Sequence, residues 1–385
     1  MSINHICFIT EDYPTSSDPS FTFVGELVRS IASNGIKCSV IAPLSISKKI
    51  FKGKEYRPYR WVDITHNNNR INIYQPKYFS FSNKKLFGFN LTIKLWQRAI
   101  INTFNKEKIS TDILYGHFWH AGIVAAMIGK RYKVPVYVAS GESKITVRKK
   151  FKASTLNRYL DEVKGVICVS TKNMQESLYL KLAPKEKMTV IPNAIDKNKF
   201  FKLDKMELRE KLGFKKKDFI VAYTGSFNHR KGVLRLSEAL NKVGNVKSVF
   251  IGSGELDPEV KGILFKGSLS HDEIVKYLNV ADVFVLPTLA EGCCNAIIEA
   301  MACGLPIISS NLSFNDDILD ESNSIRINSN SIEQIASAIQ YLRDNENELK
   351  KMSEASLLKA KELDIKNRVR KIINFLNSTI DNQFS

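Results

Sequence analysis

The chain has 385 residues, 44% of them apolar, and a formal net charge of +18. Such a length suits two domains of about 150–200 residues, and the composition suits a buried globular core, with no apolar run approaching the roughly 20 residues that span a bilayer. Six cysteines without CxxC spacing argue against a zinc or disulfide framework, and residues 4–10 lack the charged flank and long apolar run of a signal peptide, so a cytoplasmic protein with reduced cysteines is expected.

Apolar strands alternate with amphipathic segments, the pattern of a parallel α/β sheet. A strand at 6–10 is followed by a helix near 23–34 and a strand at 37–42, and then by a basic stretch read as irregular. From residue 47 to 108 fourteen Lys and Arg face only Glu55, Asp63 and Glu107. Aromatics are interleaved among them: Phe51, Tyr56, Tyr59, Trp61, Tyr78, Phe79, Phe81, Phe87, Phe89 and Trp96. Cations drawn to anionic lipid, with aromatic rings at the headgroup level, make a peripheral membrane surface. A solvated basic face whose aromatics are core, or a nucleic-acid surface, would share this composition.

Strands at 112–116, 134–139 and 165–170 alternate with helices at 121–132, 152–163 and from 171 onward, the last capped by Ser170 or Thr171. Gly116-His117-Phe-Trp-His120 stands at a strand end, where two histidines can meet a sugar or phosphate; no further ligand at metal spacing accompanies them. Residues 190–196 form a strand running into a Pro/Asn turn, read as the interdomain linker.

The pattern restarts at 218–225, with strands at 248–251, 263–266, 283–286 and 307–309, and helices at 332–343, 347–362 and 366–380. Two doubly wound halves facing one another across a cleft is the economical architecture. After the first strand of this half comes Thr224-Gly225-Ser-Phe-Asn-His-Arg230-Lys231-Gly232. Glycines allow close backbone approach, and adjacent cations at a helix start suit a diphosphate. The GxxxxGK[ST] spacing of a P-loop is missing. Gly252-Ser-Gly254 is a weak glycine pair that suits a simple turn, and residues 267–273 read as a strand end with a helix N-cap, able to offer backbone groups to a base. Asp316-Asp317 reads as a turn.

The most informative stretch is Glu291-Gly-Cys-Cys-Asn-Ala-Ile-Ile-Glu299, two carboxylates separated by seven residues on a strand–loop–helix unit. Open α/β sheets bind ligands beyond such strand ends, and a carboxylate there can accept bonds from vicinal hydroxyls. Glu299 lies in an otherwise small, apolar helix run, which gives its charge a role to explain. Cys293, Cys294 and Asn295 supply small side chains and free N–H groups, the two thiols reading as packing residues.

These segments together resemble the retaining, nucleotide-sugar-dependent glycosyltransferases of family 4. The likeness runs through Phe21-Thr-Phe-Val-Gly-Glu26, Val190-Ile-Pro-Asn-Ala-Ile-Asp196, Leu208-Arg-Glu-Lys-Leu-Gly213, the Lys231-Gly232 loop, Gly252-Ser-Gly254 and the E-x7-E motif. It implies the GT-B architecture, two Rossmann-like doubly wound domains: an acceptor domain at 1–195, with a helix at about 366–385 packing back on it, and a donor domain at 196–365. It further implies that Glu291 holds donor-sugar hydroxyls, Glu299 the ribose, and Arg230 and Lys231 the diphosphate. Cys294 and Asn295 would offer N–H groups, Gly225 and Gly252 would stand at the donor, and Ser268 and Leu269 would sit by the base. Neither a cofactor nor a metal is expected.

Where many members carry an arginine this chain has Phe227, so Arg230 is expected to take over. Residues 13–20 replace the glycine-rich loop after the first strand, and Ser140-Gly-Glu142-Ser replaces a His-Gly pair, leaving Glu142 and His117 as substitutes for a sugar-contacting histidine. The expected activity is transfer of a hexose-type sugar from a UDP- or GDP-sugar to a glycan or lipid-linked acceptor, in bacterial surface polysaccharide synthesis, with residues 47–108 docking on the inner face of the membrane. A nucleotide-sugar epimerase or phosphorylase is the enzyme alternative. A basic nucleic-acid-binding protein is disfavoured by the regular α/β pattern.

Overall fold

Strands buried on both faces organise the molecule. The computed structural model describes residues 3–15, 18, 20–47, 57–81 and 90–381. It divides the chain into two units, one running to Ile191 and resuming at Val369, the other spanning Pro192–Arg368.

In the first unit the chain forms β1 (His5–Ile9), α1 (Thr22–Ala32), β2 (Lys37–Ile41), β3 (Leu44–Ser45), β4 (Arg60–Ile64), β5 (Arg70–Tyr74) and β6 (Lys77–Tyr78). There follow α2 (Leu91–Lys106), β7 (Ile113–His117), α3 (Trp119–Tyr132), β8 (Val136–Ser140), α4 (Val147–Lys150), α5 (Ala153–Tyr159), β9 (Val163–Cys168), α6 (Thr171–Tyr179) and β10 (Met188–Val190). Among the described residues, eight strands make one sheet in the order β10-β9-β8-β7-β1-β2-β5-β4, parallel except for the β4–β5 pair. Successive strand residues point to opposite faces. Cys7, Ile9, Leu114 and Val138 therefore meet Trp96 and the α3 side chains on one face. Ile6, Phe8, Tyr115 and Tyr137 meet α1 on the other. Ser170 caps α6 by accepting the Asn173 N–H at 3.2 Å.

The stretch expected to be irregular contains β4, β5 and α2. Alternation in Arg70-Ile-Asn-Ile-Tyr74 buries Ile71 and Ile73 while Arg70 stays outside. Asn90 caps α2, whose Trp96, Ile100 and Phe104 recur at helical spacing on the buried face. Basic residues on the opposite face hid that period. The aromatics of this stretch divide: Trp96 is core on one face of the sheet, Trp61 packs against the core on the other, and Phe79 and Phe81 are exposed. Phe51, Tyr56, Phe87 and Phe89 lie outside the described residues.

The second unit contains α7 (Lys205–Lys211), β11 (Ile220–Thr224), α8 (Val233–Val243), β12 (Lys247–Ile251), β13 (Ile263–Gly267), α9 (His271–Asn279) and β14 (Val283–Leu286). It continues with α10 (Asn295–Ala302), β15 (Ile307–Ser310), β16 (Ser324–Ile327), α11 (Ile332–Asp344) and α12 (Glu346–Glu362). Its sheet is parallel, in the order β13-β12-β11-β14-β15-β16. The winding reverses between β11 and β14, and the crevice beyond the carboxyl ends there is where such sheets bind ligands. Arg209, from the Leu208–Gly213 motif, is buried at the amino ends of β11 and β14. Its guanidinium donates to the carbonyls of Val280, Lys216 and Asp218 and to Asp282 Oδ2 at 2.7–2.9 Å, which satisfies a charge that burial alone would forbid.

The chain enters and leaves the second unit side by side, since Ile195 N–H donates to Leu363 O at 3.0 Å and Ile365 N–H to Ile195 O at 2.9 Å. The last helix, α13 (Ile365–Asp381), then carries Val369, Ile372, Leu376 and Ile380 into the core of the first unit.

Candidate functional site

Main-chain bonds lace together the ends of β11, β12 and β13. Gly225 N–H donates to Ile251 O at 2.9 Å, Gly252 N–H to Gly267 O at 2.8 Å, and Phe227 N–H to Ser253 O at 2.9 Å. Gly252 has φ 143°, and a Cβ there would stand 2.0 Å from the Gly225 carbonyl oxygen. The glycine pair that looked like a simple turn is what allows the loop after β11 to close onto its neighbour. Phe227 is buried against Tyr223 at 6.1 Å, so it serves packing. Ser268 is exposed and Leu269 half-buried on the loop before α9, which opens with a Ser270–Glu273 capping box.

The loop then turns back toward β14. Asn228 Oδ1 accepts the Lys231 N–H at 3.0 Å. Gly232, at φ 80°, starts α8 where a Cβ would meet the Pro287 carbonyl oxygen at 2.5 Å. Arg235 bridges the carbonyls of His229 and Pro287 at 3.0 and 2.8 Å. These bonds set Arg230 and Lys231 over the end of β14.

There they meet Glu291. Arg230 Nη1 lies 2.6 Å, Lys231 Nζ 2.7 Å and Thr288 Oγ1 2.9 Å from the same oxygen, Oε1. Among the described residues Oε2 receives no comparable contact. Arg230 Nη1 also donates to Ala290 O at 2.6 Å. The side chains of Glu291 and Lys231 are each only 12% exposed. Burial pushes the Lys231 ammonium down, but the Glu291 carboxylate opposes this by charge and by hydrogen bond, and the pKa stays above its ordinary value. Two cations against one carboxylate leave a net positive charge, suited to an anion.

Cys294 is the N-cap residue of α10 and makes no side-chain capping bond. Burial pushes its thiol up, and that of Cys293 up to about 12, so both are neutral packing groups at physiological pH. Asn295 is oriented by Asn193, whose Nδ2 donates to Asn295 Oδ1 at 2.9 Å and to Cys293 O at 3.1 Å. Asn193 was read only as a linker residue, and no local signal shows that it reaches a loop 100 positions away. Glu299, on the second turn of α10, is buried. Asp316 lies in a turn, its Oδ1 paired with Arg326 Nη2 at 2.8 Å. Among the described residues no three His, Cys, Asp or Glu side chains gather as a metal site.

The remaining candidates belong to the first unit. His117 ends β7, buried with its ring 4.8 Å from Phe118 and 5.3 Å from Phe23. Glu142 turns inward: Oε1 accepts the Trp119 N–H at 2.7 Å and Oε2 the Gly141 N–H at 3.0 Å. It caps α3, and burial pushes its pKa up. No helix among the described residues is long and apolar enough to cross a membrane.

Comparison with known proteins shows the family. Residues 21–199 match the model for Glycosyltransferase Family 4, and residues 204–358 the model for Glycosyl transferases group 1. The chain is 26% identical over 353 residues to the putative teichuronic acid biosynthesis glycosyltransferase TuaC of Bacillus subtilis, covering 87% of this chain and 88% of the relative. It is 27% identical to the UDP-Gal:alpha-D-GlcNAc-diphosphoundecaprenol alpha-1,3-galactosyltransferase of Escherichia coli, covering 64% and 70%. Sucrose-phosphate synthase from Thermosynechococcus elongatus shares the fold, with a TM-score of 0.77 at 16% identity, covering 98% of this chain and 100% of that one. The chain is a glycosyltransferase and belongs to family 4, with the GT-B fold.

Proposed function

We propose that the chain is a retaining, metal-independent hexosyltransferase that takes its sugar from a UDP- or GDP-sugar and delivers it to a glycan or lipid-linked acceptor. The observation that carries this reading is the triple contact on Glu291 Oε1, which leaves Oε2 for the hydroxyls of a sugar. Arg230 and Lys231 take the diphosphate. As the bond from the anomeric carbon to phosphate oxygen breaks, its electron pair leaves with the nucleotide, and the two cations stabilise that charge. The acceptor oxygen bonds the same face of the anomeric carbon, and its proton passes to the departing phosphate. Glu299 holds the ribose, and Cys294 and Asn295 offer N–H groups. Gly225 and Gly252 give the donor close backbone approach, Ser268 and Leu269 flank the base, and His117 serves the sugar side. Residues 1–195 act as the acceptor domain and 196–365 as the donor domain.

The names of the two relatives support a role in bacterial surface polysaccharide synthesis and a lipid-diphosphate carrier on the acceptor. Docking of residues 47–108 on the anionic inner face of the membrane belongs to the same reading. Lys48, Lys49, Lys84 and Lys85 of that stretch lie outside the described residues. Reversing their charge should abolish binding to phosphatidylserine vesicles; unaltered binding would refute the docking. The function itself is tested by incubating the protein with UDP-, GDP- and ADP-sugars and following hydrolysis by anomeric proton resonances. Release of the sugar with the donor's configuration from one of them is expected, and inversion or complete inertness would overturn the reading.

A further inference from the structure

Beyond the carboxyl ends of β1, β7 and β8, three separate segments meet on one carboxylate. Glu11, two residues past β1, places Oε1 2.8 Å from His120 Nε2 and 3.5 Å from Lys150 Nζ. His120 is buried in the first turn of α3, its ring 5.2 Å from Trp96, and Lys150 ends α4. The Glu11 side chain remains 42% exposed. Ion pairs on so exposed a carboxylate contribute about 0–1 kcal/mol, so stability is a weak reason for converging on it. Tyr78 stands close by; burial and the carboxylates of Glu11 and Asp12 push its phenol up to about 12, so it keeps its proton as a neutral donor.

An aromatic cluster adjoins this group through Phe118, whose ring lies 6.3 Å from that of His120. Phe118 is half-buried at φ 73° and ψ 154°, and Phe21, 6.2 Å away, is at φ 63°. Non-glycine residues in the positive-φ region cost about 1–3 kcal/mol each and persist where the surroundings impose them, often at ligand clamps. Phe23 lies 6.3 Å from Phe118 on the same edge. A carboxylate accepting hydroxyls, a neutral phenol and aromatic rings facing apolar C–H surface together suit an uncharged polyol. They suit a phosphate poorly. Glu11 would repel it, and the Trp119 N–H at the start of α3, where an anion would otherwise bind, is already taken by Glu142.

We infer that Glu11, seated by His120 and Lys150 beside Phe118, binds the hydroxyls of an uncharged sugar ring on the acceptor. This rests on the transferase reading above and adds that the acceptor is recognised here through its sugar rather than through a phosphate.

The test uses the full chain, the nucleotide sugar that it hydrolyses fastest, and octyl glycosides of glucose, galactose and N-acetylglucosamine as acceptors. Transfer to at least one octyl glycoside is expected. Glu11→Gln should raise the KM for that acceptor about tenfold or more while the donor KM moves less than about twofold, a split that a merely structural brace would not give. Should Glu11→Gln fail to fold, Lys150→Ala carries the test in the same direction. An unchanged acceptor KM in a folded variant, or hydrolysis by the wild type without transfer to any octyl glycoside, overturns this inference and leaves the transferase reading standing. A wild type that hydrolyses no nucleotide sugar overturns both.

Discussion

Lys231 and Glu291 form a nearly buried ion pair, 2.7 Å between Nζ and Oε1, on an oxygen that Arg230 and Thr288 share. The carboxylate therefore competes with any anion for the two cations. Glu291→Gln should bind UDP about three- to tenfold more tightly, a gain of roughly 1 kcal/mol, because both cations are then unopposed. The same variant should turn over nucleotide sugar at least about a hundredfold more slowly, having lost its hold on the sugar hydroxyls. Titration calorimetry with UDP and steady-state turnover read the two effects separately. Weaker UDP binding would show that Glu291 positions the cations rather than masking them.

Glu299 reads the ribose in this account. A charged hydrogen bond is worth about 1.5–3 kcal/mol, so Glu299→Gln should raise the donor KM about ten- to a hundredfold. The decisive comparison uses a donor with a 2′-deoxyribose. Wild type should discriminate strongly against it and the variant hardly at all. Equal discrimination by both proteins would remove Glu299 from the nucleotide.

Asn193 fixes the loop before α10 with two bonds from one amide nitrogen, to Cys293 O and Asn295 Oδ1. Neutral bonds of this kind contribute about 1 kcal/mol each, so Asn193→Ala should raise donor KM about three- to tenfold. Asn193→Asp should do worse, because its carboxylate would face the Cys293 carbonyl. A donor KM that stays at the wild-type value in both variants would sever the linker from donor binding.

At the opposite end of the first sheet, His5 contacts Ser110 O through Nδ1 and Ser39 Oγ at 3.0 Å through Nε2. Burial lowers its pKa from 6.5. A depressed histidine contributes stability that is present above about pH 6.5 and is lost as the pH falls through the folded-state value. The melting temperature should therefore fall further between pH 7.5 and about pH 5 in wild type than in His5→Gln. Parallel curves would show that His5 titrates alike in both states.

The parallel strands of the second unit were legible because each is buried on two faces and reads as an apolar run, whereas their order in the sheet, with its reversal between β11 and β14, was not. Arg230, Lys231 and Glu291 were legible as a group because all belong to loops that follow strands. Long-range side-chain choices escaped. Glu142 looked available as a sugar contact but is consumed by the Trp119 N–H that opens α3 and by the Gly141 N–H after β8. Glu11 drew no notice because its partners lie more than a hundred residues on. In β4, β5 and α2 the charge content of one face concealed a regular period on the other.

The route of α13 has a consequence for how the protein is made. Ile372, Leu376 and Ile380 complete the face of the first sheet that carries Phe8 and Tyr137, and Tyr137 Oη pairs with Thr379 Oγ1 at 2.7 Å. Those residues leave the ribosome only after the whole second unit has been made. The unit translated first thus waits, with one apolar face open, through synthesis of the whole second unit, which is contiguous and can close as soon as it emerges. Chains truncated before residue 369 and released from the ribosome should hold the second unit folded and the first exposed to chaperones.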